Sequence, residues 1–279
     1  MKTTTGNTFV SNRRANYVVK VEDNKTKYRY DFVLVPNIGF LADSTPLLND
    51  CELKLSFDRA PGSTSLLRLK GTDDAPYLEI KGCHAVTEWV SSPNMVEYFE
   101  KIDDNPIIYK FDEVEVLCKP LPMNDRIIRL DNIKRGDIPK YIFAGIIPTE
   151  SLNGDELKSS TNFACHNVEE LNLTLNGNSV NGYPISVESC SDTNVLYQFN
   201  ETLGRLHNNG CGHGLKKAHF QSNFIWAHCF EAQTTSNGWI EMEIKLKTAF
   251  ATSHTMVVWI ISEASFSIDK FHTVEQNNY

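Results

Sequence analysis

The sequence predicts an all-β fold of the sandwich or barrel class. Short segments in which apolar and polar residues alternate recur along the chain, and turn-forming residues separate them at intervals of about ten positions. Helical composition is confined to one or two short segments. Because every strand of a sandwich turns one face to the core, alternation combined with frequent turns is typical of such folds.

A stretch in the middle of the chain, Arg129–Gly154, divides the predicted fold into two parts. Its apolar run Tyr141–Ile147 lies between Pro139 and Pro148. The run is too short for a helix, and prolines bound both of its ends. It therefore predicts a buried strand that starts at Pro139, since a proline further inside the strand would remove a ladder hydrogen bond.

The first predicted β unit covers residues 1–130, and the second, more complete unit covers residues 131–279. The sequence of the segment Tyr77–Val90 does not indicate which secondary structure it forms. The strands expected in the first unit are Tyr17–Val21, Tyr28–Val35, Cys51–Phe57 with Leu53, Leu55 and Phe57 on one apolar face, Leu66–Leu69, and a half-buried strand that runs through Val114 and Val116 to Cys118.

The second unit shows clearer periodicity. Leu171, Leu173 and Leu175 alternate with polar residues, and the hairpin signal Asn176-Gly177 follows at once. The other elements expected are a second turn at Asn181-Gly182 before Tyr183–Val187, a helix Asp192–His207 capped by Asp192 or Thr193, a strand Phe224–Phe230, a strand with Ile240, Met242, Ile244 and Leu246 facing inward, a central strand Met256–Ile261 covered on both faces, and a closing segment Phe266–Phe271.

Composition bounds the possible functions. The chain has 279 residues and a hydrophobic share of 41%, which is enough for a substantial core. Its 27 Lys and Arg against 35 Asp and Glu give a net charge of −8, which disfavours an electrostatic grip on nucleic acid. Three short basic clusters do not provide enough positive charge to bind nucleic acid: Arg13-Arg14, Lys134-Arg135 and Lys216-Lys217. The first residues lack the apolar core of a signal peptide, and the apolar runs are too short to span a bilayer.

Seven scattered cysteines without a CxxC pair predict reduced thiols in the cytosol or nucleus. One stretch collects candidate metal ligands: His207, Cys211, His213, His219, His228 and Cys229. Their spacing matches no standard zinc pattern, so a loop with ordinary histidines is the favoured interpretation. No phosphate loop or nucleophile elbow is present. The sequence therefore predicts no catalytic residue, no cofactor, no metal ligand and no enzymatic activity.

Four stretches of the chain carry a resemblance to a known family. Leu47–Leu67 is an alternating strand that runs into an Arg-containing turn, and Arg135–Asp155 opens with the pattern Gly-x-x-Pro-Lys. Val168–Ile185 is a strand–turn–strand with an Asn-Gly turn and a following Pro, and Phe224–Phe250 precedes the last strands. In this order the stretches resemble the double jelly-roll major capsid proteins of Polinton/Maverick elements, adintoviruses and virophages, over nearly the whole chain.

The resemblance implies a double jelly roll, with a partial or compact first roll in residues 1–130 and a second roll in residues 131–279. Family members are longer at the N-terminus, so this chain is expected to begin inside the first roll. The implied function is a structural subunit of trimeric, pseudo-hexameric capsomers in an icosahedral DNA virus or a virus-derived genomic element.

The partners implied by the resemblance are further copies of the chain and penton or minor capsid proteins. Neither membrane insertion nor specific nucleic-acid binding is expected. The implied location is the virion, assembled in the host cytoplasm or nucleus, and the protein is not expected to be secreted.

Two other functions stay open at the level of the sequence: a stand-alone jelly-roll binding module of the lectin type and a domesticated capsid relative. Jelly rolls also host lectin and cupin sites. A cupin needs histidines on consecutive strands, whereas the histidines here crowd into one stretch. A lectin needs aromatic side chains on exposed loops. Trp226 and Trp239 are candidates, but both are expected in the core.

Overall fold

The computed structural model describes residues 17–22 and 25–30 as backbone, single residues between 47 and 82, and residues 105–277. Within the last range the gaps are 156, 190–191, 208–219, 221–222, 231–236, 270 and 272. The chain forms two compact units, Met1–Ser44 and Thr45–Tyr279. The described part contains no helix that is both long enough and apolar enough to cross a membrane.

The described part of the first unit is a β-hairpin. Strands β1 (Tyr17–Glu22) and β2 (Lys25–Tyr30) pair antiparallel, with Tyr17 opposite Tyr30 and Glu22 opposite Lys25. The first strand was expected at Tyr17–Val21, whereas the second was expected to start at Tyr28 and starts at Lys25. The end of the predicted strand Tyr28–Val35 lies outside the described residues.

The described part of the second unit consists mostly of strands. It also contains two helices, α1 (Thr149–Asn153), where a polar loop was expected, and α2 (Thr193–Leu206), where a helix was predicted. The strands are β3 (Ile107–Leu121), β4 (Ile127–Asp137), β5 (Tyr141–Pro148), β6 (Val168–Leu175), β7 (Asn178–Ser179), β8 (Ile185–Ser186), β9 (Ile225–Cys229), β10 (Asn237–Leu246), β11 (His254–Ile268) and β12 (Val274–Asn277).

The strands form two antiparallel sheets with jelly-roll topology. One sheet has the order β3-β11-β5-β9, with β12 also paired to β11, and we call it the β11 sheet. The other has the order β4-β10-β6, followed by β7 and β8, and we call it the β10 sheet. Along the chain β3, β5, β9 and β11 alternate with β4, β6 and β10 of the opposite sheet. The all-β jelly-roll prediction is confirmed.

The core lies between the two sheets. The inward face of β10 is formed by Ile240, Met242, Ile244 and Leu246, none more than 3% exposed, as their alternation predicted. Strand β11 lies between β3 and β5, and Met256–Val258 is buried on both faces, which confirms the predicted central strand. The run Tyr141–Ile147 is buried throughout.

Two local signals in the sequence have the expected geometry. The turn after β6 places both Asn176 (φ 54°) and Gly177 (φ 78°) in the left-handed region, as a type I′ turn requires. Helix α2 starts after Asp192, whose carboxylate accepts a hydrogen bond of 2.8 Å from the backbone N–H of Asn194. Val195 and Phe199 lie on its buried face.

The boundary predicted between residues 130 and 131 falls inside β4. Both β3 and β4 belong to the described roll, because β3 pairs with β11 and β4 pairs with β10. The described roll therefore begins before residue 131. The first roll predicted for residues 1–130 lies largely outside the described residues and stays a prediction. Of the predicted strand Cys51–Phe57, the polar residues Glu52, Lys54 and Ser56 are described, and all three are exposed.

Candidate interaction surface

Strand β3 lies at one edge of the β11 sheet in the described part of the chain. It pairs along all of its 15 residues with β11, and among the described strands it has no partner on its other side. Its residues Asp112–Val116 are exposed without interruption, which means that neither face of the sheet is covered there. Edge strands with free N–H and C=O groups are places where another strand can pair.

The half-buried strand predicted for Val114 and Val116 is wrong in its burial. Both side chains are exposed, at 54% and 51%. Alternation shows that two faces of a strand differ, but it does not show whether a second sheet reaches either face. Here β3 lies at the edge of the roll, and the valines point away from the core.

An apolar cluster continues from the exposed valines across the outer face of the β11 sheet. Val116 lies opposite Trp259, whose ring meets that of Phe163 edge-on at 5.3 Å between centroids. Phe163 packs with Ile147 and Val257. Apolar residues at the surface that adjoin a packed cluster are typical of an interaction site.

Charged residues on the same face are already paired. Lys140 contacts Glu263 at 2.9 Å and Asp112 at 3.3 Å, and Lys110 contacts Glu263 at 3.5 Å. Burial lowers the pKa of Lys140, but the hydrogen bond to Glu263 and the charge of Asp112 outweigh burial and raise it overall. The hydrogen bond from Lys140 lowers the pKa of Glu263. This cluster holds its charges at neutral pH and gives no sign of an acid–base pair.

The opposite face of β3 carries Glu113 and Glu115. Glu115 accepts a hydrogen bond of 2.7 Å from Lys134 of β4, which links the two sheets across their shared edge. Among the described residues nothing forms an ion pair with Glu113. The centre of β3 therefore combines exposed valines on one face with an available carboxylate on the other.

The outer face of the β10 sheet also carries paired charges. Its charged side chains pair with one another, as in Arg129 with Glu243 at 2.7 Å and Lys245 with Glu169 at 2.9 Å. Exposed ion pairs of this kind are compatible with contact to water and contribute little to stability. The β11 sheet has in addition the exposed side chains of Val114 and Val116 on β3, so this edge is the better candidate for contact with another protein surface.

The described residues test only part of the prediction that the His/Cys stretch is a loop with ordinary histidines. Cys211, His213 and His219 lie outside the described residues. His207 ends α2, and His228 and Cys229 lie on β9. Among the residues that are described, no group of three or more His, Cys, Asp or Glu side chains could hold a metal ion. The absence of catalytic, cofactor and metal residues stays a prediction.

Two partly buried histidines, His166 and His228, lie among aromatic rings, and of the two only His228 was a candidate metal ligand in the sequence. The His166 ring lies 4.6 Å from that of His254 and 6.1 Å from that of Phe250. Burial, and to a smaller extent the nearby His254, lower the pKa of His166 to about 4, although a hydrogen bond with the Ile146 backbone opposes the lowering. The Nε2 atom of His166 is buried and has no hydrogen-bond partner in the described part of the chain.

His228 has a similar environment on β9. Its ring lies edge-on to Tyr183 at 5.3 Å and to Phe230 at 4.6 Å. Burial lowers the pKa of His228 to about 4, although the charge of Glu201 opposes the lowering. Both histidines are therefore neutral at pH 7 and packed among rings. No sequence pattern marks them, since their burial follows from loops and strands that are distant along the chain.

The two tryptophans considered as lectin candidates have different positions. Trp226 is 2% exposed and belongs to the core, as expected. Trp239 is 41% exposed, so the expectation that it is buried is wrong. It lies opposite Arg135 near the end of β10, and its backbone N–H donates a hydrogen bond of 3.0 Å to the side-chain oxygen of Asn176. The polar turn at Asn176 thus holds the backbone of an exposed aromatic residue.

No family model and no curated protein matches the sequence. Among solved structures, the chain is similar to the PBCV-1 virus capsid, with 9% identity and a TM-score of 0.37 over 62% of this chain and 52% of that chain. It is also similar to a chain of the Sputnik virophage, with 12% identity and a TM-score of 0.40 over 62% of this chain and 39% of that chain. The chain spans about half the length or less of these proteins, and the likeness concerns the fold alone.

Proposed function

We propose that the chain is a structural subunit that assembles with copies of itself, in the manner of a jelly-roll capsid protein. The observation that carries the proposal is the edge position of β3 among the described strands, where Asp112–Val116 is exposed beside the packed cluster of Phe163 and Val257. Such an edge requires a cover or a partner. Jelly rolls build viral capsids, lectins and cupins, and this surface fits the first role best.

The finer form of the proposal is a homotrimer that forms pseudo-hexameric capsomers of an icosahedral DNA virus or a virus-derived genomic element. Its support is the resemblance to major capsid proteins of Polinton/Maverick elements, adintoviruses and virophages. The stretch Arg135–Asp155 contains β5 and α1, Val168–Ile185 contains β6, and Phe224–Phe250 contains β9 and β10. In this form the protein is not an enzyme, it resides in the virion, and further copies and penton or minor capsid proteins are its partners.

Light scattering coupled to size exclusion tests the proposal, with negative-stain electron microscopy of the same fractions. The expected mass is three times the 31.6 kDa of one chain, or a larger multiple if trimers join. The mass should fall towards that of one chain on dilution, because the association of copies is a reversible equilibrium that depends on concentration. A monomer at every concentration would overturn the proposal.

A second candidate is a glycan-binding module, and the exposure of Trp239 favours it. Aromatic rings that present one apolar face and one polar tip are common at recognition surfaces. A glycan array screened with the wild type and with Trp239→Ala tests this candidate. Tyr197→Ala is a suitable control, since Tyr197 is 66% exposed on α2 and lies apart from Trp239 in sequence. Saturable binding lost only in Trp239→Ala would support the module.

A further inference from the structure

We propose that β2 of one molecule adds as an extra strand to the open side of β3 in a second molecule. The proposal rests on the proposed function, because it names the contact through which copies assemble. It is an instance of strand addition, in which backbone hydrogen bonds provide the affinity and alternate side chains provide the specificity.

Strand β3 is suited to accept such a strand. Among the described strands only β11 pairs with it, and the pattern of its exposed centre is strictly alternating: Val114 and Val116 on one face, Glu113 and Glu115 on the other. The valines are about half exposed. A partner strand should therefore carry apolar or aromatic residues at alternate positions and basic residues between them.

Strand β2 has this pattern. Thr26, Tyr28 and Tyr30 alternate with Lys25, Lys27 and Arg29, so the aromatic and the basic residues belong to opposite faces of the strand. Of the described strands, β2 pairs only with β1. A two-stranded hairpin alone is marginally stable in water, and a third strand would stabilise it.

The register of the hairpin also favours an acidic neighbour for β2. Lys27 lies directly opposite Lys20 in the antiparallel register. Like charges that face each other across two strands are destabilising. A carboxylate on the other side of Lys27 would offset this repulsion, which makes an acidic neighbour more favourable than a neutral one.

One antiparallel register satisfies both faces at once. When Tyr28 lies opposite Val114, Arg29 lies opposite Glu113 and Lys27 lies opposite Glu115. Each opposite-charge pair and each aromatic–β-branched pair is favourable at such positions. The carboxylate of Glu113, which has no ion-pair partner among the described residues, is then matched with a guanidinium.

Pairing of β3 with β3 of a second molecule fits less well. An antiparallel pair centred on the exposed segment would bring Glu113 and Glu115 of the two molecules close together, and like charges disfavour that arrangement. Pro120 has no backbone N–H to donate, so one end of the ladder would also be weakened.

A charge swap tests the register. Glu113→Lys and Arg29→Glu should each weaken self-association about three- to tenfold, as judged from the size of single cross-strand pairs. The double variant should recover most of the wild-type affinity. Glu275→Lys is the control, because Glu275 is an exposed carboxylate on the separate strand β12 and should change nothing. Sedimentation velocity over a range of concentrations gives the dissociation constants.

A photo-crosslinker in place of Tyr28 tests the contact directly. The protein is mixed with wild type labelled with heavy nitrogen, and mass spectrometry identifies the crosslinked peptides. Crosslinks from position 28 to residues 112–116 of the labelled molecule support the proposal. Assembly without these crosslinks, or crosslinks within one molecule only, would overturn it while leaving the proposed function intact. A protein that stays monomeric overturns both.

Discussion

Adjacent residues on β10 have opposite environments and should respond differently to substitution. Ile244 is fully buried, and Glu243 forms an exposed ion pair with Arg129 at 2.7 Å. Ile244→Ala should lower the free energy of unfolding by about 2–5 kcal/mol, because it leaves a cavity in the core. Glu243→Ala should change it by less than about 1 kcal/mol, since the ion pair is solvated. Equal effects in urea denaturation would mean that the assigned face of β10 is wrong.

The buried histidines predict a stability that depends on pH. The pKa of His166 and of His228 is lowered to about 4 in the folded chain, below the ordinary value of 6.5. Between these values the unfolded chain takes up protons that the folded chain excludes. Stability should therefore fall as the pH decreases from about 6.5 towards about 4, by up to about 1.4 kcal/mol per pH unit for each histidine.

Urea denaturation at a series of pH values between 7 and 4 measures this dependence. His166→Phe and His228→Phe should each flatten the curve, whatever their effect on stability at pH 7. His207→Gln is the control, because His207 is exposed. A slope that is the same in wild type and in both Phe variants would show that other groups cause the acid sensitivity.

At the level of single elements, the packing of Phe163 on β5 requires a glycine. A Cβ atom at Gly145 would lie 2.7 Å from Cδ1 and 3.1 Å from Cγ of Phe163, closer than atoms can approach. Gly145→Ala should therefore displace the Phe163 ring from Val257 and Trp259 and lower stability by about 1–3 kcal/mol. In a Phe163→Ala background the same substitution should cost much less. Additive effects in the thermodynamic cycle would contradict the contact.

The sequence predicted individual elements well where a local rule decides the structure. The alternation in β6 and β10, the Asn176-Gly177 turn and the Asp192 cap all depend on residues close together in the chain. The burial of Val114 and the exposure of Trp239 depend on which strand lies at a sheet edge. That is a property of strand order, and period-two alternation contains no information about it.

At the scale of the whole molecule, the class of fold was predictable and the pairing of strands was not. Frequent turns and alternation imply a sandwich, but β3 and β11 pair although more than a hundred residues separate them. Residue 130 lies within β4, which pairs with β10, and the division into two rolls stays a prediction. The candidate surface shares this origin, because the exposed edge exists only once β3 occupies the end of the β11 sheet.

Hydrogen exchange should reflect the same organisation. Amides of β5 and β11 lie in the centre of the β11 sheet, between other strands, and should open only on global unfolding. Amides of the β1–β2 hairpin should exchange much faster in dilute protein, because two strands alone are marginally stable. On raising the protein concentration, β2 and the 112–116 segment of β3 should become protected together, whereas β12 should not change.

Mass spectrometry of the exchanged peptides measures this. The contrary result is a dilute monomer in which the amides of the hairpin are as protected as those of β11. That result would mean that the hairpin is stabilised within one molecule and does not need a second molecule to complete it.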